Sequence, residues 1–94
     1  MTYEAFLDSL KNDQAPPELH TLALALWYDK KGDWDKAHQL ADSVKSTEGA
    51  WVHAYLHRVE GDIWNADYWY RLAKRPRPHI HLTEEWEMLV KEFL

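Results

Sequence analysis

The chain contains no cysteine, which excludes disulfides, thiolate metal ligands and thiol nucleophiles together. Glycine is scarce: Gly32, Gly49 and Gly61 are too scattered to build a phosphate-cradling loop, and no G-x-S-x-G elbow is present. Basic residues are in deficit, with eleven Lys and Arg against sixteen Asp and Glu and a formal net charge of −5. Such a field repels a phosphate backbone, so nucleic acid is not an expected partner. Long apolar runs are missing too. The longest, Leu22 to Tyr28, falls far short of the roughly 20 residues of a membrane span. The N-terminal MTYEAFLDSLKND carries acids where an export signal needs a basic segment. The expectation is a cytoplasmic chain with no membrane association and no cofactor.

What the chain does have is large apolar side chains. Hydrophobic residues make up 46% of it, six of them tryptophan, so a core can be built from few side chains that each bury much area. A chain of 94 residues suits one domain, residues 1–94, that buries about 60–65% of its unfolded surface.

Apolar spacing of three and four predicts helices throughout, an all-α fold. Thr2 caps a first helix with Tyr3, Phe6, Leu7 and Leu10 on one stripe, and Pro16-Pro17 ends it. A second helix is expected from Pro17 to Lys31, its apolar face widened by Leu24, Ala25 and Tyr28, and Gly32-Asp33 turns the chain. A third runs from about Trp34 to Val44, a fourth from about Ala50 to Glu60, and Gly61-Asp62 repeats the earlier turn. A fifth, about Ile63 to Lys74, stops at Arg75-Pro76-Arg77-Pro78. His79 to Leu82 reads as extended, and Thr83 caps a last helix with Trp86, Leu89, Val90 and Phe93 on its apolar side.

The two glycine-aspartate turns align at an offset of 29 residues (61 minus 32), which pairs Ala25 with Ala54, Asp33 with Asp62 and Ala37 with Ala66. Small residues at these places let two antiparallel helices approach closely, so the chain contains a duplicated helical hairpin. Ala54, Gly61-Asp62, Ala66, Tyr70, Ala73 and Pro78 resemble the tetratricopeptide repeat, and Leu24, Ala25, Tyr28, Gly32-Asp33 and Ala37 form a weaker copy. The family's early tryptophan is missing at Thr21 and Ala50, and the unit is shorter than the usual length of about 34 residues. The resemblance, over roughly Leu19 to Pro78, implies helical hairpins stacked in a right-handed arrangement with the first and last helices as caps. The strings HAYLHR, EGD, NA and YWYR are also similar to small bacterial helical proteins, a likeness that implies no activity.

Two constellations carry chemistry. His53, His57 and Glu60 stand at i, i+4 and i+7, within roughly 60° of helical arc. They read as seam residues hydrogen-bonded to a neighbour such as Tyr70 or Asn65, as contacts for a polar ligand, or as a partial metal set without the glutamate of H-E-x-x-H. Trp64, Tyr68, Arg71 and Arg75 form an aromatic and cationic strip, with Trp64 and Tyr68 expected in the core and Arg58 and Arg71 as anion contacts. His38 with Asp42 reads as a surface pair. No nucleophile-base pair is apparent, so no residue is taken as catalytic and none as an assured metal ligand.

The helical-repeat resemblance implies a binding or scaffold module that presents a groove to a peptide or protein partner. The expected contacts are Trp51, His53, Tyr55, His57, Arg58, Glu60, Tyr68 and Arg71. The alternative is a small-ligand or metal-dependent protein, enzymatic or not, that uses His53, His57 and Glu60. A homo-oligomer that covers its own apolar surface is a third reading.

Overall fold

Both glycine-aspartate turns adopt one geometry, which sets the architecture. Gly32 and Gly61 take positive φ, +89° and +85°. Asp33 N–H donates to Tyr28 O at 2.9 Å and Asp62 N–H donates to His57 O at 3.0 Å, the six-to-one bond that closes a helix through a left-handed residue. Each aspartate then caps the next helix, accepting from Lys36 N–H at 3.1 Å and from Asn65 N–H at 3.2 Å. Two antiparallel hairpins follow from two copies of one turn.

The computed structural model describes residues 1–94 and is all-helical: α1 (Tyr3–Ser9), α2 (Thr21–Lys30), α3 (Trp34–Asp42), α4 (Thr47–Val59), α5 (Ile63–Leu72) and α6 (Leu82–Phe93). None of them is long and apolar enough to cross a membrane. The hairpins are α2–α3 and α4–α5, joined by packing of α3 on α4, while α6 lies across α2 and α4. Ala25, Ala37, Ala54 and Ala66 are all fully buried, the close-approach positions the repeat pattern requires.

Three helix starts differ from the expectation, each for a local reason. Leu19 N–H closes a turn on Pro16 O, and His20 stays extended, so α2 begins at Thr21 instead of Pro17. Ser46 accepts from Gly49 N–H at 3.2 Å and starts α4 at Thr47 instead of Ala50. Gly49 makes that early start possible: a Cβ there would sit 1.9 Å from Val44 O. At α6 the cap is His81 and not Thr83, with His81 N–H bound back to Glu84 Oε1 at 3.3 Å.

The core centres on α4, whose residues from Gly49 to His57 are all buried. Val52 and Leu56 are fully enclosed, each contributing about 1.5–3 kcal/mol by the usual burial scale. Polar atoms in the core are satisfied across elements. Trp86 Nε1 donates to Leu26 O at 3.0 Å, Trp34 Nε1 to Leu56 O at 2.8 Å, and Trp27 Nε1 to Ser9 Oγ at 3.0 Å. The carboxylate of Glu85, fully buried, accepts from Arg58 at 2.7 Å and from the Tyr70 hydroxyl at 2.6 Å, so one residue of α6 ties α4 to α5.

Candidate functional site

Because α4 is buried from Gly49 to His57, its candidate residues divide between two faces. Trp51, Tyr55 and Arg58 point toward α2 and α6. The Trp51 indole meets Phe93 at 5.9 Å between ring centroids, and the Arg75 guanidinium lies 3.6 Å above it. Tyr55 donates its hydroxyl to Asp29 Oδ2 at 2.8 Å. Burial, then the Asp29 charge, pushes the Tyr55 phenol far above its ordinary range, and burial also raises the Asp29 carboxyl. Arg58 donates to Glu85 and to Ile80 O. A free surface around Trp51, Tyr55 and Arg58 is therefore not formed, since α6 occupies it.

The opposite face of α4 carries His53 and His57, both buried, and meets α3 and α5. The structure adds a residue that the i, i+4, i+7 stripe did not contain. His38 of α3 reaches between them, its ring centroid 4.4 Å from His53 and 5.2 Å from His57, with those two 4.9 Å apart. One ring nitrogen from each lies within 4.8 Å of the others. His38, half-buried, is thus the third member of a cluster with the buried His53 and His57 instead of half of a surface pair with Asp42.

Two tryptophans clamp the cluster. Trp69 stacks on His53 at 3.7 Å with planes 14° apart, and Trp34 stacks on His38 at 4.8 Å with planes 21° apart. Carboxylates stand behind it: Glu60 Oε1 is 2.7 Å from His57 Nδ1, and Asp42 Oδ1 is 3.8 Å from His53 Nδ1. Burial, and then the neighbouring imidazoles, pushes His53 down to about 4, and burial also lowers His38. Burial thus favours the neutral imidazole, with a lone pair available, on both rings.

The row Trp34, His38, Asp42 is the signal that could have revealed the third histidine. It repeats every four residues beside Ala37 and Ala41, so the seam that buries those alanines also carries the row against α4.

Glu60 is exposed and joins the cluster through His57. Tyr68 and Arg71 belong to neither face of α4. They lie on the outer side of α5, where Trp64 is 80% exposed, Tyr68 44% and Leu72 45%. Trp64 and Tyr68 were expected in the core, but the α5 seam is made by Ala66, Tyr70 and Ala73, all buried. Trp64 stands two residues before Ala66, about 200° around the helix from it.

Comparison with protein-family models, with curated proteins and with solved structures finds no match to this chain. The functional reading accordingly rests on geometry.

Proposed function

We propose that the chain is a tetratricopeptide-like interaction module that receives an amphipathic helix of a partner protein on the outer face of α5. One observation carries this reading: Trp64, Tyr68 and Leu72 form an exposed row at i, i+4 and i+8 on a helix that packs chiefly on α4. In a stack of hairpins each unit buries its face against the next, and a terminal unit is expected to be polar outside. Here the terminal helix is apolar outside, as an interior unit would be.

The inner side of the stack is not free, because α6 covers α2 and α4. Charge selects the partner. Arg71 and Lys74 stand exposed at the C-terminal end of α5, with Asp62 exposed at its start. A helix that docks with apolar residues at i, i+4 and acids at the end facing Arg71 complements this face. Small-ligand or enzymatic chemistry by His53, His57 and Glu60 has less support, since Glu60 is engaged by His57.

Selection from a displayed library of random helical peptides tests the reading. Enriched sequences with paired apolar residues and a terminal acid, whose binding is lost in Trp64→Ala, are the expected result. No enrichment, or enriched peptides that bind Trp64→Ala equally well, would overturn it. Sedimentation of the protein alone across dilution identifies the remaining occupant: a dimer abolished by Trp64→Ala means that a second copy fills the face.

A further inference from the structure

We propose that His38, His53 and His57 form a site for one divalent transition-metal ion of the zinc class, bound through three imidazole nitrogens with a fourth position left to water or an external ligand. The inference is independent of the α5 docking face, since the histidines lie on α3 and α4.

The donor set comes first. Imidazole suits zinc, cobalt, nickel and copper, whereas magnesium and calcium take oxygen ligands, so an all-histidine set selects the first group. His53 and His57 are four residues apart on one helix, the spacing by which a helix presents two imidazoles to one ion. His38 arrives from the neighbouring helix, held there by the Ala37 and Ala41 seam.

Distances come next. The three nitrogens fit within 4.8 Å of one another, and a tetrahedral ion with bonds of about 2.0–2.1 Å needs them about 3.3 Å apart. Rotation of the His57 ring about χ2, together with sliding of His38 and His53 in plane beneath their stacked indoles, closes a gap of that size.

A ligating imidazole usually directs its other nitrogen to a carboxylate, which fixes ring orientation and raises basicity. Glu60 takes that place behind His57 Nδ1 at 2.7 Å, and Asp42 stands behind His53 Nδ1 at 3.8 Å. For His57 this leaves Nε2 for the ion. Trp34 and Trp69 then fix the planes of His38 and His53. Aromatic packing alone would explain the stacked rings, but not a carboxylate hydrogen-bonded to a buried imidazole of the cluster, as Glu60 is to His57. A cleft of about 280 Å³ lined in part by Asp42, Ser46, His53 and Trp69 borders the cluster and offers a route in.

The experiment uses tag-free wild-type protein, stripped with chelator and titrated with Zn²⁺ at pH 7.5. The expected result is one ion per chain with micromolar or tighter affinity, a rise in melting temperature that grows with free zinc, and shifts of the ring nitrogens of His38, His53 and His57 in nitrogen-detected NMR. The rings of His20, His79 and His81 should stay in place. No stoichiometric binding, or shifts confined to His79 and His81, would overturn the proposal. Glu60→Gln, on an exposed side chain, should retain the fold and lower affinity about tenfold. His38→Gln should lower it further, and unchanged affinity in a folded His38→Gln variant would also overturn the proposal. If that variant fails to fold, the wild-type ring spectrum decides.

Discussion

The indole of Trp69 lies flat on the imidazole of His53, with ring centroids 3.7 Å apart and planes 14° from parallel. Through this contact α5 shields the histidine face of α4 from water. The same helix turns Trp64 and Tyr68 outward, so two adjacent sets of aromatic residues serve opposite purposes: one closes the interior, the other remains open.

Shielding has a sign in pH. His53 is pushed down to about 4 by burial first, then by His38 and His57, with Asp42 opposing and Lys45 assisting. The unfolded chain takes up this proton near 6.5, so it binds more protons than the folded state between these values. The stabilisation is complete above about pH 6.5 and is lost as pH falls through about 4. The effect is on the order of 1–3 kcal/mol. Urea unfolding of metal-free protein at pH 7.5, 6 and 4.5 should show stability falling, with a shallower fall in His53→Phe. A flat profile in the wild type would refute this account.

Glu85 supports the interior differently. Its carboxylate is fully buried and receives both Arg58 and Tyr70. Glu85→Ala leaves the guanidinium without its counter-charge and should cost about 3–5 kcal/mol, the scale for breaking a buried pair. Glu85→Gln should cost less. In a double-mutant cycle with Arg58→Met, the two losses should be strongly non-additive; additive losses would mean that the pair does not act as a unit.

Lys74 ends α5 with φ of +61°, doing the work that Gly32 and Gly61 do elsewhere: Arg75 N–H reaches Tyr70 O at 3.0 Å. A side chain in that region is strained. Lys74→Gly should therefore stabilise, by about 0.5–1 kcal/mol, and Gly61→Ala should destabilise by about 1 kcal/mol. Thermal melts of both variants check the pair, and a loss of stability in Lys74→Gly would contradict it.

Gly49 is constrained by space instead of dihedral angle. The Val44 carbonyl oxygen stands 1.9 Å from where a Cβ would be, and that oxygen belongs to rigid backbone at the α3–α4 junction. Gly49→Ala should destabilise by roughly 1–3 kcal/mol through forced displacement of the first turn of α4. Equal melting temperatures would show that the junction yields freely.

Local chemistry was the readable part of the sequence. Asp33, Asp62 and Thr2 cap helices where their side chains place them, and the glycine turns define both hairpins. Tertiary packing was not readable in the same way. His38 and His53 are fifteen positions apart (53 minus 38) on different helices, so no helical period connects them. Trp64 was assigned inward because large aromatics are usually buried, yet Ala66, Tyr70 and Ala73 already marked the opposite side of α5 as the seam. Likewise Trp51, Tyr55 and Arg58 have the composition of a binding groove because they do bind helices, the chain's own: Trp51 and Arg58 meet α6, and Tyr55 meets Asp29 of α2.

That placement of α6 governs how the molecule comes apart. A repeat array with neighbour-only contacts can fray or grow one unit at a time. Here Trp86 reaches back across 60 positions to Leu26, while Glu85 grips the second hairpin. Neither hairpin can leave without uncovering the helix shared with the other. Unfolding should therefore be a single all-or-none transition, with α6 as the clasp that both hairpins share.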